Sequence, residues 1–307
     1  MSITTLCKIA RVSRSGYYGY LNNHDSKEIK ENHDRKDFER IREAYRYRRR
    51  AKGARAIKMT LEAIFGITMN LKKIRRLMKK YGLVCKIRKA NPYRRMMKAL
   101  QTNSVFENKL NREFRQTIPR KVFLTDITYI FYNHGKKAYL STIMDLATRE
   151  IVSHTLSKTM EVPFVLDSVH ILADETSIPF AKAAYIHSDQ GSHYTSVKFQ
   201  KLVKDYDLGQ SMSRRGNCWD NAPQESFFGH MKDELNLDWC RSFEDLKSEI
   251  DDYMDYYNND RFQWGLAKMT PAQYCIFLQN GMINDTNLKN KQKDDCPFEQ
   301  SSKNKNN

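Results

Sequence analysis

Three acidic residues sit where an acid needs an explanation. Asp126 lies inside the apolar, β-branched run FLTDITY, residues 123–129. A carboxylate within such a strand needs a partner or a ligand, because burying it unpaired is costly. Asp189 stands in AAYIHSDQGSHY, where a short apolar segment (Ala183, Ala184, Tyr185, Ile186) gives way to a polar loop. Loops at strand ends often carry chemistry. Glu225 opens a helix in DNAPQESFFGH, just after Pro223, a residue suited to a first helical turn. If the strands of Asp126 and Asp189 are neighbours and the helix of Glu225 packs beside them, three carboxylates converge. Such a cluster repels itself at neutral pH unless a cation neutralises it. Oxygen-only ligands favour magnesium or manganese. Two such ions can activate a water or hydroxyl and stabilise the leaving oxygen in phosphoryl transfer. Taken singly, each acid has a plainer reading: an edge-strand surface acid, a turn residue, and a helix-start charge favoured by the macrodipole. The joint arrangement gives the chemistry its weight.

The elements that must hold these acids follow from residue patterning. KVFLTDITYIFY reads as a strand and NHGKK as a turn; AYLSTIMDLATREIVSHTLS continues as two more strands. Residues 161–174 form a helix, Tyr185–Ser188 a fourth strand, and SVKFQKLVKDYDL a second helix with Phe199, Leu202, Val203 and Tyr206 on one face. The helix begun near Pro223 runs to about residue 236, and residues 242–258 and 270–279 give two more. This order implies a mixed sheet covered by helices, an α/β core over residues 119–279. The segment 280–307 is polar, Asn/Lys-rich and without periodicity, and reads as a disordered tail.

The charge is divided unevenly along the 307 residues. Residues 1–120 carry 32 Lys+Arg against 10 Asp+Glu; residues 121–307 carry 21 against 26. A basic first part joined to a mildly acidic second part suggests a nucleic-acid-binding module attached to something else. Within it, GARAIKMTLEAIFGITMNLKKIRRLMKKYGL (residues 53–83) predicts two helices joined by a short turn, stopped at Gly66 and Gly82, with Asn70 capping the second. Leu71, Ile74, Leu77, Met78 and Tyr81 form the apolar face of the second; Lys72, Lys73, Arg75, Arg76, Lys79 and Lys80 form a basic face. That is the pattern of a helix-turn-helix whose second helix enters a DNA groove. Residues 4–21 predict two short helices around Val12-Ser13, and residues 26–50 a charged helical stretch whose Arg48, Arg49 and Arg50 suit phosphate contacts. The basic helical region occupies residues 1–100, and residues 101–118 read as a linker. No apolar run is long enough to span a membrane, and the start lacks the apolar core of a signal peptide. Six scattered cysteines without a CxxC pair argue against a zinc site and a disulfide framework, and favour a reduced cytoplasmic setting.

TDITYI, HSDQGSHY and DNAPQESFFGHMKDEL resemble the catalytic motifs of bacterial insertion-sequence transposases with a retroviral-integrase-like core, those of the insertion-sequence-three family and its second reading frame. Thirty-five residues separate Asp189 from Glu225, the spacing of that family's Asp-Asp-Glu triad. Lys232 stands seven residues after Glu225, where the family carries Lys or Arg, about two turns along the same helix face. VSRSGYY, NKLNREF and YYNNDRFQWGLAKMTPAQY extend the likeness to about residue 279. Phe123 replaces a common Trp, and Phe262-Gln263-Trp264 a segment often basic; neither touches the triad.

The resemblance implies a ribonuclease-H-like integrase core with a mixed five-stranded sheet and helices on both faces, preceded by an all-α helix-turn-helix region. It implies a transposase that binds double-stranded DNA at terminal inverted repeats, cuts one strand to expose a 3′-hydroxyl, and joins that hydroxyl to target DNA by transesterification. Asp126, Asp189 and Glu225 would hold two divalent ions, magnesium with manganese as a substitute. Lys232 and the loop of Arg214, Arg215, Trp219 and Asn221 would flank the DNA. His187 and His193 read as structural. The implied partners are DNA, further copies of this chain on DNA, and the upstream reading-frame product, separate or fused by frameshift. Two rivals remain: a metal-dependent nuclease of the same fold, and a non-catalytic DNA-binding regulator.

Overall fold

The computed structural model describes residues 2–85, 108–110, 113–175, 179–213 and 221–280. The predicted tail lies almost wholly outside these residues, as does half of the predicted linker. The chain divides into two compact units, residues 1–85 and 86–307.

The first unit is helical. Helix α1 (Ile3–Ile9) precedes α2 (Arg14–Arg46), whose first turn is capped by Ser13 accepting the Gly16 amide at 3.0 Å. The sequence pattern suggests a break between residues 21 and 26; the structure has one helix of 33 residues. The polar run LNNHDS looks like a loop, yet no Gly or Pro interrupts the chain between Gly19 and Gly53. Helix α3 (Ala54–Ala63) and α4 (Leu71–Lys80) follow. Asn70 accepts the Lys72 amide at 2.7 Å, capping α4, while Gly66 and Gly82 take φ of +65° and +68°. That left-handed backbone is cheap only for glycine. Ile57, Leu61, Ile74 and Leu77 pack with Ile41 and Ala44 of α2 into one core.

The second unit is built on a five-stranded sheet of order β3-β2-β1-β4-β5. Strands β1 (Val122–Tyr132), β2 (Lys136–Asp145) and β3 (Ile151–Ser157) are antiparallel neighbours; β4 (Tyr185–Ser188) and β5 (Gly209–Met212) extend the other edge in parallel. Side chains alternate across β1, so its two faces enter two cores. Val122, Leu124 and Ile130 pack with α7 (Ala222–Glu234) and α8 (Phe243–Asn259). Phe123 packs on the opposite face with α5 (Val162–Glu175) and α6 (Val197–Asp205). Helix α9 (Pro271–Gln279) closes the described chain. The mixed sheet with helices on both faces is therefore present. Its fifth strand, GQSM, has no apolar run to announce it.

Candidate active site and the basic helix

Strands β1 and β4 run parallel with Leu124 opposite His187. The pairing ends there; Asp126 stands two residues beyond Leu124 on β1, and Asp189 two residues beyond His187, just past the end of β4. Asp126 is buried at 7 % exposure on the face shared with Leu124. Its Oδ1 accepts the Ile127 amide at 2.8 Å. Asp189 caps its own loop, Oδ1 accepting the Gly191 amide at 2.9 Å. The phenol of Tyr194, wholly buried, lies 3.4 Å from Thr125 Oγ1. Burial holds its pKa well above the usual tyrosine value, and the charges of Asp126 and Asp189 push it further. One buried hydroxyl thus senses both carboxylates.

Glu225 is brought in by α7. Asn221 at its N-cap position donates from Nδ2 to the Thr125 carbonyl at 3.4 Å. Gln224 donates from Nε2 to Thr142 on β2, the residue directly opposite Asp126. Glu225 is the next residue along, in the first turn, where the helix dipole favours its negative charge. The lower end of α7 is tied down by Glu234, which takes a forked pair of bonds from Arg261 at 2.8 and 2.9 Å and a bond from the Tyr253 hydroxyl at 3.2 Å.

Among the described residues no three Asp, Glu, His or Cys groups are drawn in tightly enough to ligate a single ion. Asp126, Asp189 and Glu225 nevertheless stand on adjacent elements: β1, the end of β4, and the first turn of α7, which is bonded to β1 and β2. Two buried amide oxygens, Asn221 Oδ1 and Gln224 Oε1, have no hydrogen-bond partner there. An all-oxygen donor set with spare buried acceptors fits a magnesium-type ion, which keeps several of its waters.

Lys232 lies on the Glu225 face of α7, reaching Thr128 Oγ1 on β1 and standing 4.7 Å from the Tyr129 ring centroid. Arg214, Arg215 and Trp219 lie outside the described residues. His187 is fully buried and bridges Ser211 (2.9 Å) and Ser213 (3.1 Å), which ties β4 to β5. His193 approaches the Met160 carbonyl at 3.2 Å. Both arrangements are structural. Gly191 has φ −60°, an ordinary value, so a sharp turn is not why glycine stands there. A β-carbon would meet Asp189 Oδ1 at 2.9 Å. Sequence reasoning missed Tyr194, Thr142 and Gln224; Gln224's place beside Glu225 was the only local signal.

In the first unit the basic face of α4 is split into two stripes. Arg76 makes a forked pair with Asp34 of α2, both bonds 2.7 Å; Lys80 joins Asp34 at 2.7 Å and also Glu31; Lys73 meets Asp37. The Arg76 and Lys80 bonds hold the buried Asp34 carboxyl well below the usual carboxylate range. Lys72, Arg75 and Lys79 are exposed and form no ion pair among the described residues. They share about 60° of the helix circumference at 3.6 residues per turn. Of the six cations expected on that face, Lys73, Arg76 and Lys80 are thus paired with acids of α2. Arg50 also departs from its expected role, being only 3 % exposed, whereas Arg48 and Arg49 remain at the surface. The helix ends at Arg46, and the left-handed backbone at Arg48 and Arg49 turns Arg50 inward.

Cys240 and Cys275 are free and buried, their thiols pushed up to about 11 and about 12 by burial. No helix among the described residues is long and apolar enough to cross a membrane.

Comparison with known families gives an integrase core domain over residues 116–218 and again over 225–276, and an HTH-like domain over residues 32–91. InsK, named as a transposase of insertion sequence element IS150 from Escherichia coli K12, is 34 % identical over 275 residues, covering 88 % of this chain and 92 % of that protein. The transposase InsF of insertion sequence IS3A from the same organism is 27 % identical over 277 residues, covering 89 % and 93 %. Among solved structures, the HTLV-2 integrase catalytic core domain in complex with magnesium is 19 % identical, covering 51 % of this chain and 97 % of that one with a TM-score of 0.40.

Proposed function

The chain belongs to the IS3 family of insertion-sequence transposases and functions in DNA transposition; from that premise we propose that Asp126, Asp189 and Glu225 form its reaction centre. What supports the reading is that Asp126 on β1, Asp189 just past β4 and Glu225 in the first turn of α7 stand on adjacent elements, with Asn221 bonded to Thr125 and Gln224 to Thr142, the residue opposite Asp126. In this reading the three carboxylates hold two divalent ions, magnesium or in its place manganese. Ions so held supply activation of the attacking oxygen and stabilisation of the leaving one.

The protein's own residues do the positioning. Asn221 and Gln224 clamp the start of α7 to β1 and β2, so Glu225 is fixed relative to Asp126. Tyr194, neutral at physiological pH, packs behind Thr125 and adds no charge to the site. Lys232 presents an ammonium to the strand being processed, on the same helix face as Glu225. In cleavage, a water oxygen attacks a phosphodiester at the element end and the 3′-oxygen leaves as a hydroxyl. In joining, that 3′-hydroxyl attacks a phosphodiester of target DNA, one bond forming as one breaks, so no external energy source is required. The exposed stripe of Lys72, Arg75 and Lys79 holds the phosphates of the inverted repeats. Further copies of the chain, and the upstream reading-frame product, complete the assembly in the bacterial cytoplasm.

The test is a strand-transfer assay with a supercoiled plasmid carrying the element's flanking DNA, with magnesium, run beside Asp189→Asn. Joined-end products from wild type alone support the proposal. Nicking without joining would favour a hydrolytic nuclease, and DNA binding with no metal-dependent cleavage a regulator.

A further inference from the structure

Beyond Asp126, strand β1 runs on for six residues to Tyr132. Strand β4 pairs only with Val122, Phe123 and Leu124, so among the described residues no strand covers that edge of β1 further along. On the face away from α7, Tyr129 and Phe131 stand 38 % and 55 % exposed, their rings edge to face at 5.4 Å. Tyr139 lies directly across from Tyr129 on β2, and Lys137 directly across from Phe131. The Lys137 ammonium sits 5.1 Å from the Tyr129 ring centroid and 4.8 Å from that of Tyr139. Lys232, arriving from α7, stands 4.7 Å from the same Tyr129 ring. Two cations from two different elements therefore flank one exposed aromatic ring.

This composition selects its occupant. A protein-binding patch is depleted of lysine at its centre, whereas aromatic rings interleaved with cations are the pattern that holds a nucleic-acid strand by stacking bases and pairing phosphates. Inside a duplex both faces of a base are covered by its neighbours, so an exposed ring takes an unpaired or terminal base. Tyr129 lies three residues from Asp126, about 10 Å along the strand. At ~3.4 Å per nucleotide that is within about three base steps of the reacting phosphate.

We propose that Tyr129 and Phe131, flanked by Lys137 and Lys232, form a stacking site for an unpaired base next to the cleavage position. The site holds the DNA end open so that one strand reaches the carboxylates. It rests on Asp126 marking the reaction centre, but its test needs no reaction. The full chain is titrated, without divalent metal, into two duplexes of the element end. One is fully paired; the other carries three mismatched pairs at the cleavage position, with 2-aminopurine replacing one unpaired base. Wild type is expected to prefer the opened end and to change the 2-aminopurine fluorescence. Tyr129→Ala and Phe131→Ala are expected to lose roughly tenfold of that preference, the scale of one base–aromatic stack; Tyr129→Phe is expected to keep it. Phe131 is exposed enough for its variant to fold, and the tryptophan emission of each variant checks this. Equal binding of the two ends by wild type, or an unchanged preference in both alanine variants, overturns the proposal. A shift in sedimentation of Phe131→Ala with the preference intact would also overturn it, making the patch a contact between copies. Failure of the carboxylates to cleave DNA would leave this binding result standing, so the two readings fail separately.

Discussion

The split of α4 into two stripes makes a numerical prediction. Lys72, Arg75 and Lys79 are exposed, while Lys73, Arg76 and Lys80 are held by the carboxylates of Asp37, Asp34 and Glu31. Each phosphate contact contributes about 0.9 to the slope of log affinity against log salt on duplex DNA. Replacing each cation singly by glutamine should therefore lower the slope by about 0.9 at positions 72, 75 and 79, and change it little at 73, 76 and 80. Removing all three exposed cations should lower it by about 2.7. Between about 50 and 200 mM salt, wild type would then lose about fortyfold more affinity than the triple variant. Fluorescence anisotropy with a labelled element end, repeated across a salt series, reads the slope directly. Equal slope losses from the two stripes would refute the division, as would a loss confined to Lys73, Arg76 and Lys80.

Asp34→Ala should loosen α4 by about 1.5 kcal/mol, the scale of a bond to a charged group, because Arg76 and Lys80 can turn back to water. Amide exchange at Ile74 and Leu77 should speed up about tenfold at neutral pH. Since the folded-state pKa of Asp34 is depressed, this stabilisation is full above about pH 4 and is lost as pH falls toward the folded value, so wild type and variant should converge in acid. Gly191→Ala should abolish cleavage while leaving end binding intact, as its β-carbon would displace the Asp189 carboxylate; full activity would show that this oxygen's position is unimportant. Arg261→Met should destabilise the second unit by about 3 kcal/mol, read by tryptophan fluorescence in urea, because the half-buried Glu234 loses its counter-charge. Adding Glu234→Gln should recover much of that loss, whereas no recovery would mean that packing, not charge, sets the cost.

Much of the framework was legible in the residues because local chemistry determined it. Asn70 and Gly82 bounded α4, by capping and by left-handed backbone, Gly66 turned the chain after α3, and the β-branched run around Asp126 announced β1. Other features depended on distant partners. The four residues of β5 are Gly-Gln-Ser-Met, and what secures them is pairing with β4 and the bonds from His187, neither visible in a local pattern. The occupied stripe of α4 is set by acids more than thirty residues earlier, so a helical wheel saw one basic face where the fold makes two. Gly191 is of a type common in turns, yet its backbone is ordinary and its place leaves room for the neighbouring Asp189 carboxylate. Arg50 belonged by sequence to a basic run and by packing to the interior.

The central claim is that three carboxylates act together in strand transfer. Its most direct measurement is single-turnover joining of pre-cleaved element ends, comparing wild type with Asp126→Asn, Asp189→Asn and Glu225→Gln at matched DNA occupancy. Each variant should join ends at least about a hundredfold more slowly, with end affinity unchanged, and a double variant should be hardly slower than a single one, since the three work as a unit. Joining at the wild-type rate by any of the three would contradict the assignment.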